Sequence, residues 1–291
     1  MTSSTAPRLA LADQVAGLAP LDAPAQAAGK QIRGALPPGP VRDALAGTWL
    51  GHALHPVLTD VVIGTWLSAT VLDLTGADAA ASRRLVGAGV LASLPTAVTG
   101  SSDWADSEAV DDGIRRVGAV HALANTAALG LQIASWAARG RGRRGRGAAL
   151  SLVAALGVGA SAYLGGYLTL ERGVGVDQTA FDPGPEDWTR ALAADELAEG
   201  EPASVVVGDT PVLLVRSGGA VHALHDRCSH RGCSLAGGTL DADAIECPCH
   251  GSRFRLADGA IQRGPATTPQ PVLAVRERDG QLEVRLAGGD D

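Results

Sequence analysis

An all-α bundle of four membrane-spanning helices followed by a small all-β domain is the architecture the sequence predicts, and three observations carry it. Val117–Ala138 and Gly147–Leu170 are 22 and 24 residues long without a single Asp, Glu, Lys or Arg. Each meets the ~20 predominantly apolar residues that a helix needs to cross a bilayer. Beyond Leu170 the apolar runs shorten to a few β-branched or Leu-rich residues parted by Gly-containing turns, the pattern of an antiparallel meander. All four cysteines fall between Cys228 and Cys249, inside that second region, so they describe one local site. Composition agrees, since 46% of the 291 residues are hydrophobic and only 19% charged. The net charge of −7 gives no basic field for gripping phosphate backbones, which argues against a nucleic-acid partner.

Residues 1–45 are Ala/Pro-rich, contain Pro37-Pro38-Gly39-Pro40 and lack the apolar core and cleavage site of a signal peptide, so a flexible tail is expected there. Residues 46–172 make up the membrane domain. Its spans are Pro56–Leu72, interrupted by Asp60 and followed by Asp73; Leu85–Ser102, with Pro95 inside; and the two charge-free runs. The first carries the weakest signal, because Val61–Leu72 alone has the length of a buried helix in a soluble protein. Small residues recur at every fourth position: Ala88, Ala92, Thr96 and Gly100; Gly118, Ala122, Thr126 and Gly130; Gly157, Ser161 and Gly165. Such stripes let helix backbones touch in lipid, although an Ala/Gly-rich composition also produces them by chance. Residues 173–200 read as a linker, with Asp182-Pro-Gly-Pro and a short amphipathic helix over Asp187–Glu199. From residue 201 onward strands are expected over Ser204–Val207, Pro211–Val215 and Val221–Leu224, with a closing hairpin of Val272–Arg276 and Leu282–Arg285 about Asp279-Gly280.

The β region carries the chemistry. Cys228-Ser-His230-Arg-Gly-Cys233 is followed by Cys247-Pro-Cys249-His250-Gly-Ser252, so two cysteines and two histidines fall at Cys-x-His-x16-Cys-x-x-His spacing. Each box puts one thiolate and one imidazole on one tight loop, and two such loops can close on a two-iron cluster, thiolates on one iron and imidazoles on the other. The alternatives are a structural zinc site, whose usual spacing separates the two Cys from the two His, and plain disulfides. His222 and His225 precede the first box on or beside a strand, where packing or surface roles outweigh ligation. Gly157-Val-Gly159 and Gly173-Val-Gly175 lack a strand-to-helix phosphate context, so no nucleotide is expected.

With these boxes, the segment from about Trp188 to the end resembles a Rieske iron–sulfur domain; Cys-Pro-Cys-His-Gly-Ser and Gly259-Ala-Ile-Gln-Arg-Gly-Pro265 agree with that family. The resemblance implies a [2Fe-2S] cluster in which Cys228 and Cys247 hold the inner iron and His230 and His250 the outer, more exposed one. It also implies a Cys233–Cys249 disulfide, as in high-potential members; two free buried thiols are the alternative. Ser252 stands where the family places a hydroxyl against a bridging sulfide, which raises the reduction potential. Phe254 replaces the usual tyrosine and donates nothing, which lowers it. Arg231 gives a His-Arg-Gly word common in ferredoxin-like and oxygenase-type members and uncommon at a quinol-docking tip.

Residues 45–175 resemble an uncharacterised four-helix membrane family, through the His-Pro at the start of the first span, the Gly100…Asp103-Trp104 ending of the second and the early His on the third. His52, His55, Asp60, Asp73 and His121 with Asn125 are the ionisable or polar groups that invite a function in lipid. A pair such as His55 and His121 suits haem b or a quinone pocket, with interhelical hydrogen bonding as the plainer role.

The expected function is therefore a membrane-anchored carrier that passes one electron at a time between a membrane-associated donor, either a redox protein or quinol, and an unknown acceptor. An electron-supplying component of a Rieske oxygenase and a redox-sensing membrane protein are the alternatives. A complete oxygenase is not expected, since only 41 residues follow His250 and none is His. Arg83, Arg84, Arg139, Arg141, Arg143, Arg144 and Arg146 occupy the first and third inter-helix loops, against Arg42, Arg115, Arg116 and Arg172 on the other side. The positive-inside rule then makes a multi-pass membrane protein with the C-terminal domain on the extracytoplasmic face. Arg143-Arg144 resembles an internal twin-arginine export signal, or serves only as a topology anchor.

Overall fold

The computed structural model describes residues 11–287. They divide into two compact units, one of residues 11–36 and 54–174, the other of 37–53 and 175–287.

In the helical unit, α1 (Leu11–Ala16) and α2 (Asp22–Ala35) lead in, so the described part of the expected tail is helical. Helix α3 (Pro40–Ala46) belongs to the other unit. The four spans are α4 (Leu54–Leu74), α5 (Ala79–Ser107), α6 (Asp112–Gly140) and α7 (Arg144–Gly166), the last running on through a wider turn at Tyr167–Glu171. All four are long and apolar enough to cross a membrane. The outward faces carry Leu91, Leu123 and Leu156, each more than 60% exposed, as a lipid-facing surface requires. Asp78 caps α5 by accepting from the Ala80 and Ala81 amides, and Asp111 caps α6 through the Ile114 amide, which ends each span with satisfied backbone donors. Pro95 lies inside α5 without ending it.

Outside the hydrocarbon-facing surface the unit is tied by buried charge. Asp73 pairs with Arg139, whose Nη1 donates to Asp73 Oδ1 at 2.8 Å, while Ser82, Ser135 and Ser151 complete the hydrogen bonding. At the α5–α6 junction Glu108 accepts from Arg33 and Arg115, and Asp22 accepts from Arg116, which seats α2 on the bundle. Gly29 permits that seat, because a Cβ there would collide with Glu108. The small-residue stripes work differently from backbone contact. A side chain at Gly100 would strike His55, one at Gly118 would strike Trp104 and one at Gly165 would crowd His121, so these glycines make room for rings. Gly130 and Gly157 face open space.

The β unit has a six-stranded antiparallel sheet in the order β1-β10-β9-β4-β3-β2 and a four-stranded one in the order β5-β6-β7-β8. The large sheet comprises β1 (Thr189–Ala193), β2 (Ala203–Val207), β3 (Thr210–Ser217), β4 (Ala220–His225), β9 (Val272–Arg278) and β10 (Gln281–Leu286). The small one comprises β5 (Thr239–Asp241), β6 (Ala244–Glu246), β7 (Arg253–Arg255) and β8 (Ile261–Arg263). Strand β3 is buried on both faces. Leu213 and Val215 join Leu224, Ile245, Phe254 and Leu256 in one core, while Val212 and Leu214 join Ala223, Leu273, Leu282 and Val284 in another. That division is the period-two alternation of a strand.

Two expectations are corrected here. The helix expected over Asp187–Glu199 is instead strand β1 and a single 3-10 turn at Ala194–Glu196. Pairing of Thr189–Ala193 with β10 satisfies its backbone, and this long-range partner outweighs a local amphipathic pattern. The β domain accordingly begins before residue 201. Residues 37–45 are likewise no tail, since they carry α3, with Pro40 in its first turn and Gly47 at φ +88° as its C-terminal stop.

Candidate metal centre

Both boxes sit on loops that the sheets present. The first joins β4 to β5, and the second is the six-residue connection between β6 and β7, closed at its base by the Glu246–Arg253 pairing. Hydrogen bonds within each loop set its shape. Cys228 N–H donates to the Cys233 carbonyl and Gly232 N–H to the Cys228 carbonyl, while Cys247 N–H donates to the Ser252 carbonyl and Gly251 N–H to the Cys247 carbonyl. Gly232 and Gly251 take φ near +75° and +79°, which a side chain would strain.

A disulfide between Cys233 and Cys249 ties the loops, with Cα atoms 6.5 Å apart. Cys228 and Cys247 remain as free thiols, both buried, and the Cys228 thiol bonds to the Cys247 sulfur. That bond, with the amides of Cys249 and His250 pointing at the sulfur, brings Cys247 down to about 7. Cys228 is pushed well up by the same shared proton and by burial. The two imidazoles meet edge-on, with ring centroids 5.1 Å apart. Burial holds His230 well below its ordinary value, helped by Arg231, His250 and Arg42, so its ring is neutral, the form that ligates metal. A pair of thiol sulfurs and a pair of imidazoles, carried on two loops that a disulfide ties, are the donor set of a [2Fe-2S] cluster.

Ser252 is fully buried; its hydroxyl oxygen accepts from the Ala266 amide at 3.0 Å, and among the described residues its proton finds no protein acceptor. Phe254 is also fully buried, in the core that contains Cys228 and Cys247. His225 donates from Nε2 to Asp182 at 3.0 Å and accepts the Arg227 amide at Nδ1, a structural role that anchors the first loop to the linker. His222 pairs with Val215 across β3 and β4.

Sequence reasoning missed Gln270 and Asp226. Gln270, 2% exposed, donates to the His225 and Arg227 carbonyls and accepts from the Ser229 amide, clamping the first box from across the domain. Asp226 accepts from Ser204, Ser234 and the Ala236 amide. Neither lies in a motif, and no local signal marks either.

The helical unit gives its histidines hydrogen bonds. His55 Nδ1 meets the Thr96 carbonyl at 3.0 Å; His121 Nδ1 meets the Ser161 carbonyl at 2.8 Å, and its Nε2 meets Asn125 at 3.1 Å. Both rings thus bridge helices. His52 is exposed beside the Ala53 carbonyl, and Asp60 is exposed on α4.

Residues 187–277 match the Rieske [2Fe-2S] domain family, and residues 51–178 match the family described as "Predicted membrane protein (DUF2231)". The anthranilate 1,2-dioxygenase ferredoxin subunit of Burkholderia cepacia is 37% identical over 100 residues, 34% of this chain and 93% of that protein. Ferredoxin CarAc of Metapseudomonas resinovorans is 37% identical over 98 residues, 33% of this chain and 92% of the ferredoxin. The cytochrome b6-f complex iron-sulfur subunit 1 of Synechocystis is 34% identical over 96 residues, 32% of this chain and 47% of that subunit. The chain belongs to the Rieske [2Fe-2S] family, with its cluster domain preceded in sequence by a DUF2231-type membrane domain.

Proposed function

We propose that this protein is a membrane-anchored Rieske electron carrier in which Cys228 and Cys247 bind one iron and His230 and His250 the other. The observation that carries the reading is the pair of buried free thiols on the same two loops as the paired imidazoles, with the other two cysteines used to tie those loops. When bound, the cluster supplies a one-electron redox couple. The protein's share is to hold the donor atoms, to exclude water from the sulfurs with Phe254, Leu235 and Ile245, and to keep the Ser252 hydroxyl buried and available as a donor. Metal analysis of the purified full chain, with electron paramagnetic resonance of the reduced form, tests it. Two irons and two sulfides per chain with a Rieske signal are expected; one zinc without labile sulfide refutes it.

A ferredoxin-like role, with a soluble redox protein as acceptor, is favoured over quinol oxidation. His230-Arg231-Gly232 puts a cation beside the imidazole, and the relatives matched over most of their length include the ferredoxins of anthranilate 1,2-dioxygenase and biphenyl 2,3-dioxygenase. Reduction of membranes by quinol, without any protein donor, would reverse that preference. The arginines of the first and third inter-helix loops support an extracytoplasmic cluster domain, and a stable disulfide suits that compartment. Glu277→Cys, exposed beside the β9–β10 turn, is then labelled by an impermeant thiol reagent on intact cells. Labelling only after lysis puts the domain inside.

A further inference from the structure

Residues 37–53 pack with the β unit, and three of their side chains meet the loops of the metal centre. Pro38 lies against Gly251 of the second box, so closely that a Cβ on that glycine would stand 3.2 Å from the proline ring. Arg42, only 5% exposed, donates from Nη1 to the His250 carbonyl at 3.3 Å. Thr48 donates from its hydroxyl to the Ala266 carbonyl at 3.0 Å, and the amide of that same Ala266 holds the Ser252 oxygen. Gly264 has no room for a side chain because Thr48 and Asp43 occupy the space. Pro38, Arg42 and Thr48 all lie outside both family matches, which cover 51–178 and 187–277. The second box and the Pro265 loop are thus met by side chains that neither family match supplies.

We propose that Pro37–Ala53 is a built-in third wall of the metal centre, and that Arg42 within it places a positive charge beside the imidazole pair and raises the reduction potential. The inference rests on the reading of Cys228, His230, Cys247 and His250 as the cluster ligands. Reduction adds one negative charge to the site, and a cation sheltered from water stabilises the reduced form more than one in solvent, where the field is dissipated. The influence of Arg42 on His230 is of the same origin and sign, since the guanidinium disfavours a second positive charge there. Thr48 contributes by fixing the peptide that orients Ser252.

The test uses the purified full-length protein and two readouts. The first is the midpoint potential from a redox titration followed by electron paramagnetic resonance. Arg42→Gln lowers the midpoint, Arg42→Lys recovers part of the loss by restoring charge, and Val206→Thr, an exposed residue of β2 outside the segment, leaves it unchanged. The second readout is amide hydrogen exchange over residues 40–48, measured with and without iron. A seven-residue helix is not stable alone, so protection of α3 reports docking against the β unit. A wild-type Rieske signal combined with an unchanged midpoint in Arg42→Gln overturns the charge assignment, and exchange as fast as an open loop overturns the wall. If Arg42→Gln fails to load iron, Arg42→Met, which keeps the aliphatic packing and removes the charge, serves in its place, and an unshifted midpoint there overturns the charge assignment equally. Absence of any Rieske signal in the wild type refutes the cluster reading itself, a result distinct from these.

Discussion

Replacing Ser252 by alanine isolates one hydroxyl at a site whose geometry is otherwise fixed. The residue is fully buried, its carbonyl accepts the Cys247 amide at 2.8 Å, and its hydroxyl oxygen accepts the Ala266 amide at 3.0 Å. The hydroxyl proton is therefore left free to donate to a cluster sulfur, which is the role the substitution tests. A hydrogen bond between neutral groups contributes about 1 kcal/mol and one to a charged group about 1.5–3 kcal/mol, so an added electron on the acceptor strengthens the bond by roughly 1–2 kcal/mol. For a one-electron couple about 59 mV corresponds to a tenfold change in equilibrium constant, so the midpoint of Ser252→Ala falls by roughly 40–90 mV. The assay is the same spectroscopic titration on the full chain, normalised to iron content, because the Ala266 amide loses its acceptor and some stability is lost too. A midpoint within about 10 mV of wild type at full iron content refutes the donor role, since it leaves less than about 0.3 kcal/mol for the bond.

Removing the Cys233–Cys249 bond with paired alanines releases a closure of 16 residues, which stabilises the closed loops by about 3 kcal/mol. Faster iron loss and faster amide exchange of both boxes are expected, and unchanged rates would show that the loops are held by Gln270 and the core alone. Phe254→Tyr moves the midpoint upward if the new hydroxyl reaches a thiolate; no shift with iron retained means that the ring edge points away from both sulfurs. Asp73→Leu strands the buried Arg139 and costs about 3–5 kcal/mol, lowering the unfolding temperature in detergent. Adding Arg139→Met recovers most of that loss, and a failure to recover would show that the serines, not the ion pair, organise this part of the bundle.

The sequence alone determined those features in which neighbours along the chain supply the constraint. A membrane span is a matter of length and missing charge, so α4 to α7 were legible, with ends that moved outward where Asp78 and Asp111 capped them. Strands β2, β3, β4, β9 and β10 were legible because their apolar runs are bounded by turn residues. The boxes were legible because a metal site built from tight loops needs its donors at fixed short spacing. What only the tertiary structure decided depends on partners far off in the chain. Thr189–Ala193 is a strand because β10 offers it an edge nearly a hundred residues away in sequence, a partner no local pattern reveals. Gln270 clamps the first box through two backbone carbonyls and one amide, and such contacts leave no trace in composition. Residues 37–45 read as part of an Ala/Pro-rich tail and 46–53 as the start of the membrane domain, although Pro40 and Gly47 were the start and stop of a helix in plain view. A helix of seven residues has too few hydrogen bonds to form alone. The surface that stabilises it, at Gly251, His250 and Ala266, comes into being only when the cluster domain has folded.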